Sequence, residues 1–135
     1  MRQAEVLIEV PFHDVDVMRI VWHGHYVKYF EIARCALLDA IDYNYPQMHE
    51  SGFGWPVIDL RVRYAQPLRF QQKIRVIARL TEWENRLKID YLIEDAQTGQ
   101  RLTKGYTVQV AVDMQTEEML FVSPDILFQK LGLQP

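Results

Sequence analysis

Residues 25–42 carry the strongest helical pattern in the chain, and its breadth restricts the fold more than any other feature. Apolar side chains recur there at three- and four-residue spacing, at Tyr26, Tyr29, Phe30, Ala33, Leu37 and Ile41. Ala36 and Leu38 widen this stripe beyond one narrow face, which is typical of a helix that a sheet surrounds. Asn44, Tyr45 and Pro46 then supply a stop signal. The pattern predicts one helix of about five turns.

The flanking segments change to a period of two, which is typical of half-buried strands. Apolar residues alternate mainly with charged ones in residues 4–10, 58–64, 73–80 and 87–94. Residues 101–114 predict a longer strand, with a return strand at residues 119–122. Ser123, as N-cap, and Pro124, as first helical residue, begin a short C-terminal helix. One helix inside a curved antiparallel sheet of five or six strands would cover every apolar face, so we expect an α+β fold.

The composition fits one compact domain spanning residues 1–135. Hydrophobic residues make up 49% of the chain and charged residues 24%, which is enough apolar material for a core. The single cysteine, Cys35, cannot form an intramolecular disulfide, and the N-terminal residues lack the apolar stretch of a signal peptide. No apolar run is long enough to cross a membrane. We therefore expect a cytoplasmic protein in a reducing environment.

The charge is distributed unevenly around a net value of −3. Residues 57–104 hold ten Lys and Arg against six Asp and Glu. This is not the strong basic excess of a nucleic-acid-binding protein, so no nucleic-acid partner is expected. The local surplus could hold one phosphorylated ligand, although each residue taken singly is also explained by a solvated strand face.

A polar segment at residues 12–26 joins the first strand to the helix and holds the residues most suited to chemistry. Two aspartates, three histidines and a tryptophan lie in it, at Asp14, Asp16, His13, His23, His25 and Trp22. Backbone N–H groups at a helix N-terminus lack partners within the helix and favour negative charge. The segment is therefore suited to stabilising an oxyanion.

These residues resemble the 4-hydroxybenzoyl-CoA thioesterase family, including the bacterial Tol-Pal-associated acyl-CoA thioesterases. The family pattern is an aromatic residue, Asp-x-Asp, a small pair, Ile/Val-Val, Trp/Tyr, His/Tyr, a variable residue, Asn-Tyr, and a helical Phe-x-x-Ala-Arg. The chain matches it at Phe12, Asp14-Val15-Asp16, Ile20-Val21-Trp22-His23, Tyr26 and Phe30-Glu31-Ile32-Ala33-Arg34, and Tyr64-x-x-Pro67 is similar to the end of the family's second strand. The similarity covers about the first 120 residues. It implies a hotdog fold and hydrolysis of an acyl thioester without a cofactor or metal.

Two positions depart from the family pattern. Met18 and Arg19 replace the small pair, which often ends in glycine, and His25 replaces the asparagine. Bulk and positive charge beside the catalytic loop should change the pocket or the recognition of the carrier. The reaction type is therefore inferred more directly than the substrate.

The resemblance places the catalytic carboxylate of the family on Asp16. This carboxylate could attack the thioester directly, forming a mixed anhydride, or could position and deprotonate water. His23 could orient water or substrate, or could be a structural imidazole. For Asp14 a structural hydrogen bond is the favoured role. Glu31 could pair with Arg34 along the helix or could face the site of a neighbouring subunit, and the structural role is favoured.

Seven further residues are candidates for substrate binding. A backbone N–H near Gly24 would receive the oxyanion, and the other candidates would line the pocket or hold phosphate: Trp22, His25, Tyr26, Trp55, Arg61 and Arg63. The expected substrate is an acyl group on coenzyme A or on an acyl carrier protein. An uncovered sheet edge, together with the resemblance, predicts a homodimer or homotetramer with the site at the subunit boundary.

Two other classes of function remain open at this point. His13, Asp14, Asp16, His23 and His25 could be metal ligands, although their spacing matches no known helical or hairpin metal motif. Alternatively, the domain could bind acyl thioesters without hydrolysing them or could dehydrate a hydroxyacyl thioester, because fold alone does not determine function. The spacing and the resemblance favour the thioesterase over a metal site, and the presence of Asp16 favours hydrolysis over binding or dehydration.

Overall fold

The computed structural model describes residues 2–134. Its helices and strands are, in chain order, β1 Gln3–Glu9, α1 His25–Ala40, α2 Tyr45–Ser51, β2 Phe53–Gly54, β3 Val57–Tyr64, β4 Lys73–Glu82, β5 Leu87–Asp95, β6 Arg101–Gln109, β7 Val112–Asp113 and α3 Asp125–Lys130. Within residues 2–134, no helix is both long and apolar enough to cross a membrane.

Five antiparallel strands form the main sheet, in the order β1-β4-β5-β6-β3. β2 and β7 form a separate two-stranded pair. The predicted α+β class and the antiparallel sheet are confirmed, with five strands. β1 and β3 are the two edges of this sheet, and β3 is exposed along nearly its whole length.

The core lies between α1 and one face of the sheet. Tyr29, Phe30, Ala33 and Leu37 of α1 are almost completely buried. The ring of Phe30 stacks on that of Tyr91 in β5, with 4.5 Å between centroids and an interplanar angle of 6°. Gly105 in β6 leaves room for this ring, since a Cβ there would lie 2.5 Å from Phe30. The face that carries Gly105 is therefore the inner face of the sheet.

The sheet covers only one side of α1. Lys28, Ile32, Cys35 and Asp39 form an exposed stripe along the other side. The broad apolar pattern predicted a central helix surrounded by sheet, and residues 2–134 of a single chain do not form that arrangement.

The helix ends earlier than its apolar pattern predicts, and a second helix follows. α1 stops at Ala40, and Asp42 adopts a left-handed φ of 56°, which a continuing helix cannot accommodate. Asn44 then caps α2: its side chain accepts from the Tyr45 N–H, and the Gln47 side chain accepts from the Asn44 N–H. The predicted stop at residues 44–46 is therefore also a start signal.

Two details near the C-terminus differ from the prediction. β6 ends at Gln109, and only a two-residue strand, β7, and a single bridge between Val112 and Met119 continue the predicted long strand and its return. The N-cap of α3 is Pro124, so Ser123 lies one residue outside the cap. The Ser123 N–H donates instead to the carbonyl of Glu84, which fixes the segment against the β4–β5 connection.

Candidate active site

Asp14 is the buried carboxylate of the polar segment. Its side chain is 1% exposed and accepts hydrogen bonds from Lys28 Nζ at 2.5 Å and from the Tyr29 hydroxyl at 2.7 Å. The Nε2 atoms of His13 and His25 each lie 3.8 Å from Asp14 Oδ1. Burial alone would raise the pKa of Asp14, but the hydrogen bonds from Lys28 and Tyr29 and the charge of Lys28 outweigh it, so the pKa lies below 3.8. Asp14 therefore stays ionised and joins the loop to the first turn of α1.

Asp16 lies two residues further on, at the surface. Its N–H donates to the Ile20 carbonyl at 2.9 Å, and its carboxylate accepts from the Met18 N–H at 2.8 Å. A bridge between Val15 and Val21 closes this loop at its base. The loop thus presents one exposed carboxylate on a backbone whose ends are held by hydrogen bonds.

Arg19 sits in this loop with a left-handed φ of 64°. Glycine adopts such a conformation without steric cost, whereas other L-residues do so at a cost of about 1–2 kcal/mol. The backbone therefore has the shape that the glycine of the family pattern would allow, while the residue present is an exposed arginine.

The start of α1 gathers Trp22, His23, Gly24 and His25. The Trp22 ring packs over Gly24, where a Cβ would lie 2.2 Å from it, and contacts the His25 ring edge-on at 5.3 Å between centroids. The His25 N–H is already used, donating to the Trp22 carbonyl at 2.9 Å. Among the described residues, the N–H groups of His23 and Gly24 have no acceptor, so both amides are free to donate to an oxyanion.

Aromatic contacts join this helix start to the edge strand β3. The Tyr64 hydroxyl donates to the His23 carbonyl at 2.9 Å, and the Tyr64 ring packs edge-on against Tyr26 at 4.7 Å. Tyr26 itself is buried, and its hydroxyl accepts from the Leu68 N–H at 3.1 Å. Burial raises the pKa of Tyr26, so its hydroxyl stays protonated.

Trp55 lies apart from Asp16, in the wall of a cavity of about 570 Å³ between α1, α2 and the start of β3. Its indole N–H donates to the Tyr43 hydroxyl at 3.0 Å, and it is only 7% exposed. The cavity is otherwise lined by apolar side chains and a few polar ones, including the ion-paired Glu31 and Arg34 and the buried Gln109. The expected pairing of Glu31 with Arg34 along the helix is present.

Arg61 and Arg63 lie on the outer face of the sheet. Val62, between them, pairs with Gly105, which faces α1, so the two arginines point the other way. The structure therefore groups Trp22, His23, Gly24, His25 and Tyr26 at the start of α1, where the Trp22 N–H donates to the Asp14 carbonyl at 3.0 Å. Asp16 lies further out on the same loop, Trp55 lies in the cavity, and the two arginines lie on the far face.

Sequence reasoning missed Lys28 and Gln109. In the sequence, Lys28 looks like an ordinary solvated helix residue. Only its contact with Asp14, 14 residues earlier in the chain, shows its role. Gln109 ends a strand in a polar stretch, and its burial arises from the packing of Trp55, whose carbonyl accepts from Gln109 Nε2 at 2.8 Å. Within residues 2–134, no three His, Cys, Asp or Glu side chains converge as a metal site.

The chain is similar to known proteins over nearly its whole length. The family model described as Thioesterase-like superfamily matches residues 10–129. A provisionally assigned esterase of Synechocystis is 27% identical over 128 residues, covering 94% of this chain and 77% of that protein. A provisionally assigned acyl-CoA thioesterase of Bacillus subtilis is 35% identical over 70 residues, covering 52% of this chain and 51% of that protein.

A solved structure extends this similarity to the fold. The DHNA-CoA thioesterase from Staphylococcus aureus superposes with a TM-score of 0.83 at 25% identity, covering 98% of this chain and 87% of that one. The fold is thus that of the hotdog thioesterases. Since the matching family model includes both aspartates, α1 and all strands from β2 to β7, the chain belongs to the Thioesterase-like superfamily.

Proposed function

We propose that the protein hydrolyses acyl-coenzyme A thioesters, with Asp16 as the catalytic carboxylate. The observation that carries this proposal is the contrast between the two aspartates of the loop. Asp14 is buried and bound by Lys28 and Tyr29, whereas Asp16 is exposed in the closed loop that precedes α1. Membership of the superfamily supports the reaction class.

The proposed reaction needs only an oxygen nucleophile and oxyanion donors. In one route, Asp16 removes a proton from water while the water oxygen attacks the carbonyl carbon, and the proton then passes to the departing thiolate. In the other route, Asp16 attacks the carbonyl itself, the C–S bond breaks, and water hydrolyses the resulting anhydride. Both routes develop negative charge on the carbonyl oxygen, which the unpaired N–H groups of His23 and Gly24 would stabilise.

We place the chain in the 4-hydroxybenzoyl-CoA branch of the superfamily as part of the same proposal. The left-handed backbone at Arg19 supports this, because that branch often has glycine at this position. The buried Phe30 and Ala33 also agree with the helical part of the branch's motif.

We further propose that the working unit is a dimer paired through β3, or a tetramer of such dimers. β3 is an exposed edge strand with partly exposed apolar side chains on its inner face, including Leu60 and Tyr64. Such an edge favours pairing with a second strand. Antiparallel pairing about a two-fold axis through Arg61 would keep the inner faces of both strands on one side and would set Tyr64 of one copy close to the partner's Val57.

This pairing would complete the site. Tyr64 contacts His23 at the start of α1, and Val57 lines the 570 Å³ cavity. The catalytic loop of one copy would then face the cavity of the other, which offers an apolar compartment for the acyl group. In a single chain, none of the residues that line the groove at Asp16 also lines the cavity.

The test is the release of free thiol from a panel of aromatic, short and long acyl-CoAs. We expect turnover of at least one class, and we expect Asp16→Asn to reduce kcat by at least about a hundredfold with an unchanged circular dichroism spectrum. Asp125→Asn, which neutralises another exposed carboxylate, should retain full activity. Turnover of Asp16→Asn near that of the wild type would remove Asp16 from the mechanism.

A further inference from the structure

An open groove of about 800 Å³ runs beside Asp16. Its residues are Phe12, Val15, Asp16, Val17, Arg19, Phe70 and Gln71. Phe12 is 75% exposed and Phe70 is 39% exposed, and their rings contact edge-on at 5.7 Å. An exposed aromatic pair next to a catalytic carboxylate offers an apolar surface that a ligand can cover.

The backbone of this groove holds strained residues. Two of the four non-glycine residues with positive φ in residues 2–134 line it, Arg19 at 64° and Gln71 at 67°. The Phe70 N–H donates to the Arg19 carbonyl, so these two segments are directly joined. Left-handed non-glycine residues persist where the surrounding structure holds them and often accompany functional sites.

The groove carries both negative and positive charge. Asp16 is the one acidic side chain in its lining, and Arg19 is exposed. Arg69 lies beside it, paired through its backbone with Ile20, and is exposed as well. Within residues 2–134, neither arginine forms an ion pair, so both guanidinium groups are free to bind an anion.

We propose that this groove binds the phosphopantetheine arm of the substrate, with Arg19 holding its phosphate and Phe12 and Phe70 packing against its apolar part. The proposal rests on the proposed function, because the thioester at the end of the arm must reach Asp16. Coenzyme A and acyl carrier proteins share this arm, so the groove recognises the chemistry common to both. Arg19 thereby acquires a role that a glycine at this position could not perform.

The decisive comparison uses two substrates that differ only by the phosphate, acyl-phosphopantetheine and acyl-pantetheine, with the acyl group that turns over best. We expect the wild type to prefer the phosphorylated substrate by about tenfold in kcat/KM, mainly through KM. Arg19→Ala should abolish this preference, and Arg19→Lys should keep part of it. Arg79→Ala, which removes an exposed arginine from β4, should keep all of it.

Two further variants separate the parts of the groove. Phe12→Ala should lower kcat/KM for both substrates equally, since both carry the apolar part of the arm. Arg19→Gly should lose the phosphate preference and yet melt at a higher temperature than Arg19→Ala, because glycine accepts the left-handed backbone. A phosphate preference that survives in Arg19→Ala, or that is missing from the wild type, overturns the proposal.

Direct binding keeps this proposal distinct from the proposed function. Free phosphopantetheine is titrated into the wild type and into Arg19→Ala by calorimetry. Binding that requires Arg19 supports the groove even if no thioester is hydrolysed, a result that would contradict only the hydrolase. Hydrolysis without such binding contradicts only the groove.

The carrier is identified by presenting the same acyl group on coenzyme A and on an acyl carrier protein. Arg19→Ala should slow whichever carrier the wild type uses. Unchanged rates with both carriers would overturn the role of Arg19.

Discussion

The hydroxyl of Tyr29 donates a 2.7 Å hydrogen bond to Asp14 inside the protein, one turn into the helix that follows the Asp14–Asp16 loop. Burial raises the pKa of Tyr29, as does the Asp14 carboxylate beside it, so the phenol stays protonated as the donor. Lys28 donates to the other carboxylate oxygen of Asp14. Asp14 therefore acts as a fixed anchor for the loop that carries Asp16. Asp14 thus holds the loop, while Asp16 is exposed and available for the proposed chemistry.

Removing the Tyr29 hydroxyl should destabilise the fold measurably. Tyr29→Phe deletes one hydrogen bond to a buried charge, and we expect the free energy of unfolding to fall by about 1.5–3 kcal/mol in urea titrations. Tyr106→Phe is the matched control, because its hydroxyl bonds Asp59 at 3.2 Å on an exposed surface. That control should change stability by less than about 0.5 kcal/mol. Equal losses of stability in the two variants would show that the hydrogen bond to Asp14 stabilises the fold no more than an exposed one does.

Acid should remove the stabilisation that the ionised Asp14 gives to the folded state. The pKa of Asp14 is lowered in the folded state, while an unfolded aspartate titrates near pH 3.9. The resulting stabilisation is therefore fully present above about pH 4 and is lost as the pH falls through the folded pKa. We expect the free energy of unfolding of the wild type to fall more steeply below pH 4 than that of Asp14→Asn. Parallel curves for the two proteins would contradict this.

Much of this anchor could be anticipated from the sequence, but its partners could not. The Asp-x-Asp spacing and the family pattern separated a structural Asp14 from a catalytic Asp16. Helical periodicity assigned Tyr29 to the apolar stripe, and Lys28 was not singled out at all. Periodicity describes which side of a helix is apolar, whereas the contact between residues 14 and 28 depends on how the preceding loop folds back.

The same limit explains the differences in the fold. Strand alternation located β1, β3, β4 and β5 because the two faces of the sheet differ in polarity. The α2 helix was missed because Asn44 and Pro46 serve equally as a stop and as a start. Arg61 and Arg63 were correctly seen to share a face, but only the contact of Gly105 with Phe30 identifies which face is covered by α1.

Chelation should leave activity unchanged. The proposed chemistry uses a carboxylate and backbone amides, and the Asp14 carboxylate is already bound by the Lys28 ammonium at 2.5 Å. We expect equal thiol-release rates before and after dialysis against EDTA. Activity that disappears in EDTA and returns with one particular metal ion would instead support the three histidines and two aspartates of residues 13–25 as metal ligands.

Charge on the inner face of β3 should disrupt both assembly and activity. Leu60 is 40% exposed in a single chain, and pairing of two β3 strands would bring it into the shared core. Leu60→Glu should therefore shift the mass measured by light scattering at micromolar concentration from a dimer or tetramer toward a monomer. Hydrolysis should fall with it, because the catalytic loop would lose the cavity of its partner.

The opposite edge of the sheet supplies the control for this experiment. Leu7 in β1 is 70% exposed, on a strand that the proposed pairing does not use. Leu7→Glu introduces the same charge and should leave both mass and activity unchanged. If Leu7→Glu dissociates the protein while Leu60→Glu does not, pairing occurs through β1. A wild type that is monomeric and fully active would rule out a shared site altogether, because each chain would then have to bind its acyl group beside its own Asp16.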